Sequence, residues 1–278
     1  MNRDIPAAGN TARILGFLLA FTVFFLTVLA LDARSDLALQ VALGGATWAF
    51  VGIAAMTAQR RERVQFLAMI AVATCYEGIG SIIWGLYRYR LGNLPMYVPP
   101  GHGLFYLAAL RLSSLPILRR HARPVIMAVL VVSGLWAAGG AFLSPHPDLL
   151  GLLCWFLLAA FITHGRDPLF FAVSFSLTML LEYYGTALGT WRWAAIVPHL
   201  GIPAANPPSA IGAGYCIIDA STRLATSLIL GAASSGKVAR MLQQVRELRY
   251  VLIRPVTGWV NLYVGSSRAN TDPQADRH

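Results

Sequence analysis

Two glutamates, Glu77 and Glu182, each lie in a long apolar stretch and each begin the same series of residues. Glycines follow, then an aromatic–arginine–aromatic triplet (Tyr87–Tyr89 and Trp191–Trp193), a Leu-Gly pair and a double proline. An ionisable side chain in such a stretch is costly unless it is paired, so it indicates a functional site by default. A carboxylic acid held neutral in an apolar cavity can donate a proton, and a second carboxylate can accept one. The pattern therefore predicts acid–base chemistry, with Glu77 and Glu182 as catalytic residues.

Both glutamates also have a structural interpretation, in which they hydrogen-bond the backbone of the neighbouring loops. Two further ionisable side chains, Arg111 and Asp219, each lie 11 residues after the double proline of their own series. Opposite charges at equivalent positions predict an ion pair, and we include both residues among the catalytic candidates. Because Arg223 lies one helical turn from Asp219, these three residues alternatively form a structural ionic clasp. The three acids outnumber the two arginines, which leaves one carboxyl without a cation.

A second group of residues lies in or near the loops and is expected to line the mouth of a site. The predicted substrate-binding residues are Tyr87, Arg88, Tyr89, His102, Trp191, Arg192, Trp193 and Asn206. Aromatic faces attract cations, although Tyr and Trp are also common wherever a span meets the membrane surface. A histidine at a helix start, as expected for His102, favours the neutral imidazole. The sequence has no zinc-ligand spacing, no phosphate-binding glycine loop and no serine-hydrolase elbow, so we expect neither a metal nor another cofactor.

The composition requires a membrane as the setting for these residues. Of the 278 residues 56% are hydrophobic and only 12% are charged, and the mean hydropathy is +0.59. So few charges cannot cover a water-facing surface, which excludes a soluble globular protein. A transmembrane helix needs about 20 largely apolar residues, and eight stretches qualify. The predicted spans are 12–31, 37–57, 64–87, 102–118, 124–143, 148–163, 168–188 and 209–232.

The distribution of lysine and arginine predicts the orientation. With the N-terminus inside, the cytoplasmic segments contain sixteen of these residues and the outer loops four. This bias follows the positive-inside rule, so we predict a multi-pass protein of the plasma (inner) membrane with both termini in the cytoplasm. The net charge of +10 is then a consequence of topology, and we expect no nucleic-acid partner. Residues 237–278 are expected to form a basic amphipathic cytoplasmic tail with a disordered end, lying on the membrane or docked on the helices.

The repeated series divides the chain into two similar halves. The offset between the copies is 105 residues at the glutamates and 108 at the double prolines, and the surrounding spans repeat with similar offsets. We therefore predict an all-α membrane protein made of two four-helix repeats, 1–120 and 121–236. Because each repeat crosses the membrane an even number of times, both enter it in the same orientation. They are then parallel repeats related by a pseudo-twofold axis along the membrane normal.

The series that begins at Glu182 resembles a motif of the carotenoid-biosynthesis membrane proteins that include the carotenoid and bisanhydrobacterioruberin hydratases. The similarity covers residues 182–208 and, in the first half, 77–100, although the tryptophan expected soon after the last proline is absent. The duplicated plan with one acid per half also resembles the fused membrane lycopene cyclases and related integral-membrane terpene cyclases. These resemblances imply proton-initiated chemistry on an isoprenoid inside the bilayer, without a metal or redox cofactor. They also imply that Glu182 and Glu77 are the acid and the base.

Three functions are compatible with this sequence. The first is a hydratase or cyclase that acts on a long apolar lipid, an isoprenoid or carotenoid, by glutamate acid–base chemistry. The second is a proton-coupled transporter or lipid flippase with a midplane site between two repeats. The third is a subunit that scaffolds other membrane proteins, in which neither glutamate has a chemical role. The expected partners are the lipid or isoprenoid substrate and the membrane itself, and the sequence does not indicate an oligomeric state.

Overall fold

The computed structural model describes residues 8–231, which form helices and one two-stranded ribbon. This part of the chain is therefore all-α in class, as predicted. The helices are α1 (Ala8–Asp32), α2 (Leu37–Thr57), α3 (Arg60–Glu77), α4 (Val98–Ser113), α5 (Pro116–Arg120), α6 (Ala122–Phe142), α7 (Leu149–His164), α8 (Pro168–Leu188) and α9 (Gly214–Gly231). The strands are β1 (Tyr87–Tyr89) and β2 (Trp191–Trp193). The predicted tail, 237–278, lies outside the described residues.

Several helices are long and apolar enough to cross a membrane. Between residues 8 and 231, five meet this criterion by length and composition: Thr11–Asp32, Leu37–Thr57, Arg60–Ile83, Ala122–Phe142 and Pro168–Leu188. Their surfaces expose large apolar side chains such as Leu135 and Ile83, which are 72% and 79% exposed. Large apolar side chains exposed on helices of this length suit lipid rather than water. The chain is therefore a membrane protein. A further apolar helix, α7, is shorter, with only 16 residues.

Two predicted spans begin or break at other positions than expected. The fourth, predicted at 102–118, consists of α4 followed by α5. It already starts at Val98, because the double proline lies in the first turn, where the backbone needs no donor. The break between α4 and α5 falls just before Pro116, where the preceding residue is extended. The last span, predicted from 209, begins as a 3₁₀ turn at Ile211–Ala213 and continues as α9.

A π-helical turn, Gly78–Ile83, follows Glu77 directly, so the helix of the third predicted span, 64–87, ends before the aromatic triplet. In the first half the triplet begins ten residues after the glutamate, and in the second half it begins nine residues after it. A π turn bonds residue i to i+5 and thus holds one residue more than an α turn. The π turn therefore absorbs the extra residue, so that glutamate and triplet keep the same relation in both halves.

α4 is the central helix of the bundle. It contacts α1, α2, α3 and α8, and most of its residues are buried, among them Leu104, Tyr106 and Ala108. α9 packs on α3 and α8, and α6 packs on α7 and α8. In a membrane the hydrophobic effect does not drive helices together, so their association depends on close van der Waals packing. The core around α4 thereby fixes the relative positions of α3 and α8, which carry the two glutamates.

β1 and β2 pair as an antiparallel ribbon that joins the two halves of the chain. The register pairs Tyr87 with Trp193, Arg88 with Arg192 and Tyr89 with Trp191. Side chains alternate between the two faces of a strand, so the four rings lie on one face and the two arginines on the other. The rings also pair across the strands, with centroids 4.6 Å and 6.2 Å apart. Cross-strand aromatic pairs stabilise a ribbon that is otherwise too short to be stable alone.

Candidate functional site

Glu182 accepts two hydrogen bonds from the aromatic triplet of its own half. The indole nitrogens of Trp191 and Trp193 each donate to Oε2 over 2.9 Å. Across the described residues no group hydrogen-bonds the other carboxyl oxygen, Oε1, and no cation forms an ion pair with this side chain. An indole N–H is only a donor and carries no charge. Glu182 is therefore oriented by neutral partners and keeps one oxygen available.

Glu77 is bound by its own triplet in the same manner. The phenols of Tyr87 and Tyr89 each donate to Oε2 over 2.7 Å. The other oxygen, Oε1, lies 2.8 Å from Nε2 of His102. Nδ1 of His102 lies 2.5 Å from the hydroxyl of Tyr215, whose ring stacks on the imidazole. A continuous chain of hydrogen-bonding groups therefore leads from Tyr215 through His102 to the carboxyl group.

The two carboxyl groups share one site. Their donors occupy the same face of the ribbon, where the ring of Tyr87, which binds Glu77, lies 4.6 Å from the ring of Trp193, which binds Glu182. Glu77 and Glu182 have different neighbours, however, because an imidazole contacts only Glu77. A pair of carboxyl groups in unlike environments is the arrangement that acid–base catalysis requires, since one must give a proton while the other takes one.

Tyr87 and Tyr89 stay protonated and therefore remain donors. Burial raises the pKa of both phenols, and the negative charge of Glu77 raises it further. Burial acts in this direction because it removes the water that would stabilise a phenolate. Neither tyrosine is thus an acid at neutral pH, and their role is to orient the carboxylate.

A glycine three residues after each glutamate makes room for an aromatic ring. A Cβ at Gly185 would lie 2.0 Å from the ring of Trp191, and a Cβ at Gly80 would lie 3.2 Å from the ring and hydroxyl of Tyr87. Residues three apart lie on the same face of a helix. The ring can therefore lie across the helix at the glycine and reach the glutamate one turn earlier. This contact explains the Glu-x-x-Gly spacing that both halves share.

The other predicted substrate-binding residues lie at varying distances from the carboxyl groups. Arg88 and Arg192 are exposed on the face of the ribbon opposite to the rings. The side chain of Asn206 belongs to the support of the site, since its Oδ1 accepts a hydrogen bond from the backbone N–H of Trp193 over 2.8 Å. Asn206 thus fixes the strand that carries two of the donors, while the two arginines face away from the glutamates.

Arg111 and Asp219 do not form the predicted ion pair with each other. Arg111 lies over the ring of Phe17 at 4.2 Å, and its guanidinium is 3.9 Å from a carboxyl oxygen of Glu62. Asp219 accepts a 2.6 Å hydrogen bond from Arg223 within α9. The prediction fails because α4 is the central helix and α9 packs on other neighbours, so equivalent positions meet different surroundings. Their role as catalytic residues stays a prediction, and their observed contacts are those of structural residues.

Asp32 is a buried acid that the sequence analysis missed. Its carboxyl accepts hydrogen bonds from the amide of Gln40 over 2.8 Å and from the hydroxyl of Tyr97 over 3.0 Å. Gln40 in turn accepts a bond from Asn93. Asp32 therefore ties the loop that follows β1 to the turn between α1 and α2. No spacing in the sequence signals this network, because Tyr97 lies 65 residues away along the chain.

Asp148 has the corresponding task in the second half. Its carboxylate accepts three backbone hydrogen bonds, from the N–H groups of Gly151, Ala205 and Ser209, over 2.6–3.1 Å. The first of these caps α7, and the other two tie down the loop that follows β2. An aspartate directly before an apolar run is a recognisable helix-start signal, so the cap was detectable in the sequence. The contact with the distant loop was not.

A groove of about 660 Å³ lies beside the helix that carries Glu182. Its apolar lining comes from α6 and α8 and includes Trp136 and Tyr183, and its polar lining includes Asn206 and Ser209. Tyr183 directly follows Glu182 in α8, but neither glutamate lines the groove. The groove therefore runs along the helix that carries Glu182 without including that side chain.

No protein-family model, curated protein or solved structure matches this chain. A fold alone does not determine a function. The case for a function therefore rests on the chemistry of the site, and the resemblance to carotenoid hydratases and lycopene cyclases stays a prediction.

Proposed function

We propose that this protein is a membrane-embedded enzyme in which Glu182 and Glu77 act as acid and base on a carbon–carbon double bond of a long apolar lipid. The substrate class is an isoprenoid or carotenoid, and the reaction is a hydration or a cyclisation. The observation that carries the proposal is that no group within residues 8–231 hydrogen-bonds Oε1 of Glu182. Both indoles bind Oε2, so a proton on Oε1 is available for transfer to a substrate.

The reaction begins when Glu182 gives its proton to one alkene carbon, which breaks the π bond and leaves a carbocation on the other carbon. The faces of the triplet rings stabilise this charge. In a hydration, water forms the new C–O bond and passes its surplus proton to Glu77, whose Oε1 adjoins His102. In a cyclisation, a second double bond forms the new C–C bond and a carbon loses its proton to Glu77. Return of that proton to Glu182 completes the cycle.

The groove beside α8 supports the choice of an apolar substrate. Apolar side chains of α6 and α8 line it, together with polar residues that include Asn206, which also holds the strand of Trp193. A long hydrocarbon chain can lie along such a surface, beside the helix that carries Glu182. Binding sites of this shape, apolar with a few placed polar groups, are typical of sites for small apolar ligands.

The finer topology is part of the same proposal: eight crossings arranged as two parallel four-helix repeats, in the plasma membrane, with both termini in the cytoplasm. The order of three helices, a strand and a helix occurs twice along the chain. The ribbon supports a twofold axis, because its register pairs Arg88 with Arg192 and exchanges the flanking rings. The arginines at the helix ends remote from the ribbon support the orientation under the positive-inside rule.

The test is to replace each glutamate by glutamine and to follow the lipid and pigment profile of a polyene-containing host by mass spectrometry. Glu182→Gln and Glu77→Gln should each reduce product formation by about 10²–10⁴-fold, the usual contribution of a positioned acid or base. Glu62→Gln is the matched control, because that glutamate pairs with Arg111 outside the site. If both site variants fold and leave the profile unchanged, the proposal is wrong.

A proton-coupled transporter or lipid flippase is the second candidate. It is favoured by the position of the site between the halves, where transporters built from repeats place their substrate. The chain from Tyr215 through His102 to Glu77 could carry the coupled proton. Proteoliposomes containing the full chain separate the two functions. Substrate or lipid movement that depends on a pH gradient, without a chemical product, would support transport and contradict the enzyme.

A further inference from the structure

Arg88 and Arg192 place two positive charges side by side on the open face of the ribbon. The register sets the two residues directly opposite each other, and both side chains are exposed. Like charges directly opposite one another destabilise a pair of strands. No carboxylate within residues 8–231 forms an ion pair with either arginine. Their repulsion is therefore not offset by an acidic partner in this part of the protein.

A third arginine, Arg90, lies beside the ribbon. It directly follows β1, and its backbone N–H donates to the carbonyl of Thr190 over 2.9 Å. Its guanidinium donates to the backbone oxygen of Ser35 over 2.5 Å and to the hydroxyl of Ser35 over 2.9 Å. It is thereby held beside the ribbon. Arg90 is thus engaged by Ser35, whereas an anion is the chemical partner that would neutralise the positive charges of Arg88 and Arg192.

The shape of the guanidinium group narrows the class of anion. A guanidinium offers planar, paired N–H donors that match two oxygens of a phosphate. Two guanidiniums on adjacent strands can together engage several oxygens of one tetrahedral phosphate. A carboxylate has only two oxygens and would engage fewer of these donors.

We propose that Arg88 and Arg192 together bind one phosphate group, supplied either as inorganic phosphate or by the headgroup of an anionic lipid. The four rings and the two glutamates occupy the other face of the ribbon. The phosphate therefore binds apart from the acid–base site, and its binding does not depend on the reaction proposed above. Bound phosphate is expected to stabilise the pairing of the two strands, because it offsets the repulsion between the two arginines.

The first experiment measures the melting temperature of the purified full chain in phosphate and in chloride at equal ionic strength. Phosphate should stabilise the wild type, because a ligand that binds only the folded state raises its stability. Arg88→Gln and Arg192→Gln should weaken the apparent affinity for phosphate by about tenfold or more. Arg34→Gln is the matched control, since Arg34 is an exposed arginine outside the ribbon. Without phosphate at low salt, the two ribbon variants should melt at a higher temperature than the wild type, because the repulsion is relieved.

The second experiment separates the two sources of phosphate. The full chain is placed in nanodiscs of phosphatidylcholine with or without phosphatidylglycerol, and the retained lipid is identified by native mass spectrometry. A response to inorganic phosphate assigns a free anion, whereas retention of phosphatidylglycerol that is lost in Arg192→Gln assigns a headgroup. If neither inorganic phosphate nor phosphatidylglycerol distinguishes the wild type from the ribbon variants, the proposal is overturned.

Discussion

Replacing Gly185 with alanine should break the contact between Trp191 and Glu182. The new Cβ would lie 2.0 Å from the indole ring, whereas carbon atoms in contact are about 3.5–4 Å apart. The ring must therefore move by roughly 1.5 Å or more. The 2.9 Å hydrogen bond from its nitrogen to Oε2 cannot survive such a shift. The carboxyl would then be held by Trp193 alone.

The expected loss of stability follows from three contributions. A lost hydrogen bond to the protonated carboxyl costs about 0.5–1.5 kcal/mol, and overpacking at a buried contact costs about 1–3 kcal/mol. Alanine restores about 1 kcal/mol, because it favours a helix more than glycine does. The net destabilisation is thus about 0.5–3.5 kcal/mol.

Thermal unfolding of the detergent-solubilised full chain measures this effect. Gly52→Ala is the matched control, because a Cβ on that helical glycine meets no atom within 4 Å, so this variant should be neutral or more stable. A double-mutant cycle with Trp191→Ala then isolates the contact, since Gly185→Ala should cost nothing once the ring is absent. Equal melting temperatures for the two glycine variants would refute the role assigned to the Glu-x-x-Gly spacing.

Three other predictions concern single groups. Because the pKa of Tyr89 is raised in the folded protein, the stability of the folded state should fall as the pH rises above about 10. The melting temperature should fall less between about pH 9 and pH 11 in Tyr89→Phe than in the wild type. An equal fall in both proteins would contradict the role of Tyr89 as a buried donor. Asp148→Asn should destabilise the folded state by about 1–3 kcal/mol and expose the amide of Ser209 to hydrogen exchange, because Asp148 accepts a bond from that amide. Asp36→Asn is the control, because asparagine is an equally good helix cap there. Asp219→Asn should destabilise the folded state by about 1.5–3 kcal/mol, because it removes the charged acceptor of Arg223, whose side chain is 29% exposed. A melting temperature equal to that of the wild type would contradict a stabilising role for this ion pair.

The sequence predicted much of the site because the relevant residues are repeated in order. Glu77, Glu182 and the two triplets could be recognised without a structure, since a charged side chain in an apolar stretch needs partners. The sequence did not show that each triplet binds the glutamate of its own half. That relation depends on how the strand folds back over the helix at Gly80 and Gly185, which is a tertiary contact.

The sequence could not predict contacts between residues that are far apart in the chain. The hydroxyl of Tyr215 reaches His102 across 113 residues, and nothing in the local pattern marks it. The predicted ion pair between Arg111 and Asp219 is wrong, because positions that are equivalent in the two repeats have different neighbours: Arg111 pairs with Glu62 and Asp219 with Arg223. The helices of predicted spans 102–118 and 209–232 begin at Val98 and at the turn Ile211–Ala213, because prolines and 3₁₀ turns at a helix start do not change hydropathy, which is what defines a span in sequence.

The ribbon has a consequence for the assembly of the chain. Each half supplies one three-residue strand, and an unpaired strand edge attracts a complementary one. If the chain were divided in the connection near His121, each of the two fragments would have one unpaired strand. The backbone of that strand would hydrogen-bond the strand of the other fragment. Co-expressed fragments should find each other through this edge, so that the protein can be made as a split pair that assembles inside the bilayer.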